Sequence, residues 1–175
     1  MAEGTTPTRR EAIRILEEGR ARIDELLDRL PRPAMTTPGL GGGTWSPKDL
    51  IGHLASWEEY ALDALAAWAR DERAPIDDLF FTLSTTRIND QAVARKAAWS
   101  LAKVRREADR THEELLVAIR EMTDARWTAP TTSRGRKALG ARLGAILVGR
   151  GPFAHDAAHL KSLAVFVERH APSGR

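Results

Sequence analysis

Residues 44–59 read TWSPKDLIGHLASWEE and contain the start of a long predicted helix. Ser46 followed by Pro47 is a helix start signal, because the serine side chain can cap the first turn and proline suits the first helical position. Asp49 stands three residues after Ser46, where an acidic side chain completes a capping box. The apolar residues that follow recur at helical spacing, which predicts a long amphipathic helix over 46–70. Its inward stripe consists of Leu50, Leu54, Trp57, Ala61, Leu65 and Trp68.

A helical pattern also precedes this stretch. Thr8 and Glu11 have the spacing of a second capping box, and apolar residues at helical spacing follow, so the sequence predicts a first helix over 8–30. Pro31 ends this helix, because proline disrupts a helix interior. Proline and glycine crowd residues 31–45 without periodicity, which predicts a loop before the 46–70 helix.

A third helical region follows a loop that contains Pro75. It spans 86–122, and we expect it to break or bend near Trp99. Throughout this part of the chain the apolar residues recur every three or four positions, and no convincing strand alternation is present.

The last helical region is predicted over 138–170, after a polar and basic loop at 128–137. A run of glycine and proline interrupts it at 149–152. Four helical regions of roughly 20 residues, each about 30 Å long, predict an all-α protein with the architecture of a four-helix bundle.

Composition limits the classes of protein further. Of the 175 residues, 42% are hydrophobic and 29% are charged, which is typical of a globular chain and excludes a disordered one. The chain has no cysteine, so thiol nucleophiles and thiolate metal sites are excluded, and any metal site must use His, Asp or Glu. The first residues lack the apolar segment of a secretory signal, and no run approaches the ~18 apolar residues of a membrane helix. We expect one cytoplasmic domain over 1–175, with flexible ends at 1–7 and 171–175.

Histidines on the inward helix faces form a candidate metal site. His155 and His159 are four residues apart, the spacing at which two imidazoles of one helix can bind one metal ion. His53 lies at the edge of the apolar face of the 46–70 helix and would supply a third imidazole. Three protein ligands leave open positions on the metal, which is the catalytic pattern. The alternative is that each partly buried histidine is only hydrogen-bonded.

Two carboxylates also lie on inward faces. Glu58 and Asp156 could orient a metal ligand or carry a proton, and the alternative is that each pairs with an arginine. His112 aligns with the apolar residues of its helix and is expected to make a polar contact between helices. His170, in the final helical turn, is expected to be solvated.

The segment 44–59 resembles the second-helix signature of the DinB-like superfamily, in which a Trp, a short polar cap and a His-x-x-x-Trp-Glu helix recur. Two branches are most similar, namely the ClbS/DfsB branch and the N-terminal domain of mycothiol-dependent maleylpyruvate isomerases. Looser matches are Ile88-Asn89, Ser100, Thr111-His112-Glu113-Glu114-Leu115-Leu116 and His155-Asp156-Ala157-Ala158-His159. Together they cover most of the chain.

This resemblance implies a four-helix bundle that binds a divalent metal, zinc or nickel, through His53, His155 and His159. It also makes a homodimer an expectation. The chain departs from the maleylpyruvate isomerases in two ways. Their metal ligands resemble a His/Glu/His set, whereas residue 155 here is His. They also carry a second domain. The ClbS-like branch includes members whose activity on electrophilic cyclopropane-bearing metabolites does not need the three-His site.

Two functions therefore stay open. The first is a metal-dependent enzyme, a hydrolase or a low-molecular-weight-thiol transferase, that acts on a small electrophilic metabolite with Glu58 or Asp156 orienting a ligand or moving a proton. The second is a non-catalytic or metal-free small-molecule binding or resistance protein of the ClbS-like type. Either way the expected partner is a small-molecule substrate or ligand.

Nucleic-acid binding ranks third. The net charge of +3 is a weak signal, and acidic residues interleave with the basic ones in the third helical region. No recognised reading motif is present. We expect no specific nucleic-acid partner and no membrane partner. The basic residues concerned are Arg95, Lys96, Lys103, Arg105, Arg106, Arg110, Arg134, Arg136 and Lys137.

Overall fold

The helix predicted from residues 44–59 extends over Pro47–Ala69 in the computed structural model of the chain, which describes residues 6–172. Its capping box is formed as predicted, because the Ser46 side chain accepts a hydrogen bond from the Asp49 amide and the Asp49 carboxylate accepts one from the Ser46 amide. The α-helices in chain order are α1 (Arg9–Leu27), α2 (Pro47–Ala69), α3 (Pro75–Thr82), α4 (Thr85–Lys96), α5 (Leu101–Glu121), α6 (Asp124–Thr128), α7 (Leu139–Ile146) and α8 (His155–His170).

Four long helices, α1, α2, α5 and α8, form the bundle, and no strand occurs between residues 6 and 172. The predicted all-α bundle is therefore confirmed. Helix α2 is central, since it packs against α5 along one side and against α3, α4 and α7 along others, while α1 packs against α8. Buried α2 residues contribute to both apolar clusters of the core, with Trp57 in one and Leu54 in the other.

The break predicted near Trp99 is confirmed, because residues 97–100 separate α4 from α5. Ser100 caps α5 by accepting a hydrogen bond from the Lys103 amide. The interruption predicted at 149–152 is confirmed as well, and it separates α7 from α8.

The loop predicted around Pro75 is wrong, because Pro75 is the first residue of α3. Proline lacks an N–H that would be unpaired at this position in any case, so it starts a helix as readily as it ends one. Helix α1 also stops at Leu27, before the predicted end at residue 30, and a short 3-10 helix over Arg32–Thr36 lies in the predicted loop.

The flexible ends predicted for 1–7 and 171–175 lie largely outside the described residues. At Pro7 the chain is anchored, since its carbonyl accepts a hydrogen bond of 2.9 Å from the indole Nε1 of Trp127. Among the helices of the described part, none is long and apolar enough to cross a membrane.

Candidate metal centre

Three imidazoles from two helices converge at the predicted positions. His53 comes from α2, and His155 and His159 come from the first turns of α8. The Nε2 atom of His155 lies 3.1 Å from Nε2 of His53 and 3.4 Å from Nε2 of His159. His53 is buried and the other two are half-buried, so the cluster is reached from the α8 side. The structure thus brings the three predicted residues together.

The geometry of these nitrogens fits a divalent metal. A tetrahedral zinc ion with Zn–N bonds of about 2.0–2.1 Å holds its nitrogen ligands about 3.3 Å apart, close to the two distances here. Facing imidazole lone pairs repel each other unless a proton or a cation lies between them. The other ring nitrogen of His53, Nδ1, is buried without a hydrogen-bond partner among residues 6–172. Zinc and nickel both suit imidazole ligands.

Burial keeps all three imidazoles neutral. Loss of solvation, together with the charges that His155 and His159 would carry, lowers the pKa of His53 to about 2. Burial, with the charge of His159, lowers the pKa of His155 to about 3. Burial also lowers the pKa of His159. Neutral imidazole is the form that binds a metal ion, so the site needs no deprotonation at neutral pH.

Two tryptophans flank the histidines. The ring of Trp45 lies 4.9 Å from that of His53, and the ring of Trp57 lies 5.5 Å from that of His155. Trp57 is held in place by a hydrogen bond of 3.0 Å from its Nε1 to the side-chain oxygen of Asn89. The walls of the site are therefore aromatic and one of them is fixed.

Helix α3 adds an exposed aromatic ring beside this wall. Phe80 packs on Trp57 with ring centroids 6.0 Å apart, yet it remains 41% exposed. Its neighbour Phe81 is 85% exposed. Phe80 therefore extends the aromatic surface from the histidines toward solvent.

Glu58 and Asp156 are engaged by a buried arginine. Arg20 of α1 donates from Nη2 to both carboxylate oxygens of Glu58 at 3.1 Å and from Nε to Asp156 at 3.4 Å. Its Nη1 donates to the carbonyl of Ala108 in α5 at 3.3 Å. This arginine thereby joins the four long helices. Within the described residues neither carboxylate is hydrogen-bonded to His53, His155 or His159. The structure therefore shows the predicted alternative, in which each carboxylate pairs with an arginine.

The contact between helices predicted for His112 is confirmed. Its Nδ1 lies 2.6 Å from Glu58, which also accepts a hydrogen bond of 3.0 Å from the Thr111 hydroxyl. Burial raises the pKa of Asp156 to about 6, and the nearby charge of Arg20 opposes that rise. The cluster is therefore a satisfied polar network inside the bundle.

Arg20 and Thr111 were missed by the sequence reasoning. Arg20 stands in the apolar stripe of α1, where Leu16, Ile23 and Leu27 occupy the neighbouring inward positions. A charged residue at an inward position is a signal for a buried partner. That signal was present in the sequence and could have identified Arg20.

A cleft of about 300 Å³ between α1, α2 and α5 reaches Arg20 from outside. Ile23, Leu27 and Leu54 form part of its apolar wall, and Asp24 and Asp109 are among the charged residues around it. Glu58 and Asp156 do not line it. A small molecule in this cleft would meet the guanidinium before either carboxylate.

His170 is half-buried, so it is less solvated than predicted. Its ring stacks on Phe166 with centroids 4.0 Å apart, and its Nδ1 lies 2.9 Å from the Phe166 carbonyl. The two residues are one helical turn apart, so this stacking shields the imidazole at the end of α8.

The fold and the three convergent imidazoles define a small helical-bundle protein with a candidate metal centre. The chain belongs to the DinB superfamily, whose sequence profile matches residues 4–161. No curated protein sequence matches the chain significantly.

Two solved structures share the fold. One is an uncharacterised protein from Escherichia coli UTI89, with a TM-score of 0.76 and 13% identity over 97% of this chain and 98% of that one. The other is the colibactin self-resistance protein ClbS in complex with a dsDNA, with a TM-score of 0.65 and 11% identity over 95% of each chain.

The ClbS structure corrects the expectation that nucleic acid is not a partner. That expectation relied on the missing reading motif and on the interleaved acidic residues. However, the structure of a protein with this fold has been solved in complex with double-stranded DNA. Contacts to the phosphate backbone need only suitably placed cations, so neither observation excludes such a partner. In α4 and α5 several cations are paired, since Arg95 and Lys96 contact Glu59 and Arg110 contacts Glu107.

Proposed function

We propose that this protein is a metal-dependent enzyme, a hydrolase or a low-molecular-weight-thiol transferase, that acts on a small electrophilic metabolite. The observation that carries the proposal is the convergence of the Nε2 atoms of His53, His155 and His159. Three neutral imidazoles would hold zinc or nickel and leave positions open for a reactant.

A divalent metal bound there would lower the pKa of a coordinated water or thiol and so supply the nucleophile. The aromatic side chains have separate roles. Trp45 and Trp57 exclude water from one side of the histidines, and Phe80 offers a surface on which an apolar substrate can lie. Because the chain has no cysteine, a thiol nucleophile would come from a co-substrate in solution.

Glu58 and Asp156, predicted as carboxylates that orient a ligand or move a proton, have a positioning role in this proposal. Asp156 adjoins His155 in α8, and Arg20 ties it to Glu58 in α2. The network would thereby hold the two ligand-bearing helices at the separation that the histidines need. All three imidazoles come from one chain, so the proposed homodimer is not needed to complete the site.

Metal content tests the proposal directly. We expect about one zinc or nickel ion per chain in tag-free protein measured by inorganic mass spectrometry, and loss of the ion in His53→Ala and His159→Ala. His170→Ala is the matched control, because His170 is stacked on Phe166 and lies outside the cluster. A parent that takes up no metal after reloading would refute the proposed centre.

A second candidate is a metal-free small-molecule binding or resistance protein of the ClbS-like type. The cleft that reaches Arg20 favours it, since Ile23 and Leu27 form an apolar part of its wall and Arg20 offers a charged hydrogen-bond donor. In that case metal reloading would not change the melting temperature. An apolar electrophile would raise the melting temperature, and the increase would be lost in Arg20→Met.

A further inference from the structure

A cavity of about 420 Å³ lies far along α2 from the histidines, between the end of that helix, α3, α7 and the loop 128–137. Trp68 is a lining residue near the end of α2, and the basic loop contributes Arg134, Arg136 and Lys137. We propose that this cavity binds an anion of the phosphate class, independently of the metal centre.

The cations of the loop are not consumed by ion pairs. Within residues 6–172, no carboxylate lies within 4.0 Å of Arg134, Arg136 or Lys137 in a salt bridge. The two carboxylates that line the cavity have other partners. Asp77 forms a short ion pair with Arg142, and Asp71 accepts hydrogen bonds from Ser133. Three cations are therefore available to a ligand.

One guanidinium anchors the start of the loop that carries these cations. Arg126 donates to the carbonyl of Pro130 at 2.6 Å and to that of Thr131 at 2.9 Å. A backbone hydrogen bond of 2.8 Å from Leu139 to Ala129 closes the base of the loop. These contacts fix the backbone at the two ends of the loop, which reduces the entropy that binding would cost.

Asp71 provides a second anchor in an uncommon backbone conformation. Its φ is 59°, in the left-handed region that costs free energy for a residue other than glycine. Its carboxylate accepts a hydrogen bond of 2.5 Å from the Ser133 amide and one of 2.6 Å from the Ser133 hydroxyl. These hydrogen bonds also lower the pKa of Asp71, so the anchor remains ionised. Asp71 follows the C-cap residue of α2, a position where a left-handed residue commonly ends a helix.

The chemistry of the cavity favours phosphate oxygens. Guanidinium groups bind phosphate in a bidentate manner, and a flanking ammonium adds an unspecific charge. The paired Arg73 and Arg142 also line the cavity and add positive potential behind the three free cations. The volume of about 420 Å³ exceeds that of a single phosphate group, so the anion would be part of a larger ligand.

Titration calorimetry with inorganic pyrophosphate at constant ionic strength tests the site. We expect saturable binding by the parent and a loss of about tenfold or more in affinity in Arg134→Gln/Lys137→Gln, because charge-assisted hydrogen bonds are removed. The matched control is Arg87→Gln/Arg106→Gln, which removes the same charge from exposed side chains without ion pairs in the described residues. Its affinity should stay within about threefold of the parent. An equal loss in both double variants would overturn the proposal.

The variant Asp71→Gly distinguishes an anchored binding site from non-specific attraction by an excess of positive charge. Glycine adopts the φ of 59° without strain, so the variant removes the Ser133 anchor and one negative charge. Simple electrostatics predicts tighter pyrophosphate binding in this variant. The proposal predicts weaker binding, because the loop loses its anchor. Tighter or unchanged binding would overturn it.

A parallel titration with a duplex DNA oligonucleotide identifies the source of the phosphate. Binding of pyrophosphate alone, lost in Arg134→Gln/Lys137→Gln, would indicate a phosphorylated small molecule. Binding of the duplex alone, lost in the same variant, would indicate a phosphodiester backbone. Either result supports the site, and metal content should be unchanged in the variant. Absence of binding by both probes, or binding that ignores the loop variant, would overturn the proposal.

Discussion

The Nε2 atoms of His53 and His155 lie 3.1 Å apart, although the two residues are separated by 102 positions in the chain. One imidazole is carried by α2 and the other by α8, so their separation depends on how these helices pack. The buried Arg20 contacts both helices, through Glu58 in α2 and Asp156 in α8. The charged network therefore joins the same two helices that carry the candidate metal ligands.

Removal of metal should destabilise the parent protein. A ligand present at about a thousand times its Kd stabilises the folded state by about 4 kcal/mol. Dialysis against a chelator should thus lower the Tm of zinc-loaded parent by several degrees, measured by scanning fluorimetry. His155→Ala should have the same Tm with and without zinc. An equal zinc-dependent increase in both proteins would mean that the ion binds elsewhere.

Replacement of Arg20 should unfold the protein more readily and weaken the metal site. Removal of one partner from a buried ion pair costs about 3–5 kcal/mol, so Arg20→Met should lower the free energy of unfolding in urea by about 3 kcal/mol. Zinc affinity of the folded variant should fall as well. Arg22→Met is the matched control on the same helix, since Arg22 is exposed and has no ion pair within the described residues.

The cost of Arg20→Met should depend on the two carboxylates. In a Glu58→Gln/Asp156→Asn background, the same replacement should cost less than about half as much, because no buried anion is left unpaired. Additive costs across the two backgrounds would contradict the proposed network.

Phe80 should affect the binding of aromatic ligands at the metal centre. Benzohydroxamate and acetohydroxamate share a chelating group and differ in their aromatic ring. An aromatic contact contributes about 0.5–1.5 kcal/mol, so Phe80→Ala should weaken benzohydroxamate binding to zinc-loaded protein by about three- to tenfold. Calorimetry should give unchanged affinity for acetohydroxamate. Phe81→Ala is the control, since its side chain is 85% exposed. Equal losses for both hydroxamates would exclude a ring contact.

Loss of the cap that starts α2 should destabilise the whole bundle. Ser46→Ala removes the side-chain oxygen that accepts from the Asp49 amide, at a cost of about 1 kcal/mol. Urea denaturation should report this change with an unaltered m-value. Thr86→Ala, in the exposed first turn of α4, should change stability by less than about 0.5 kcal/mol. An effect of Ser46→Ala no larger than that of Thr86→Ala would show that the cap does not limit stability.

Most of the helical pattern could be predicted, because its signals act within one or two turns. The caps at Thr8 and Ser46, the break at Trp99 and the interruption at 149–152 are local features, and each was identified. The sequence does not predict α3, because Pro75 is also a loop signal. Proline has the same local conformation in a turn and at a helix start, so the residue alone does not distinguish them.

The all-α class, the start and length of α2, and the four-residue spacing that places His155 and His159 on one face of α8 can be read from the residues alone. That His53 meets these two histidines, and that Arg20 binds Glu58 and Asp156, follows only from how the helices pack. The reason is physical. Caps and periodicity act over a few residues, whereas contacts between distant helices depend on packing and on the competition of buried charges for the same partner.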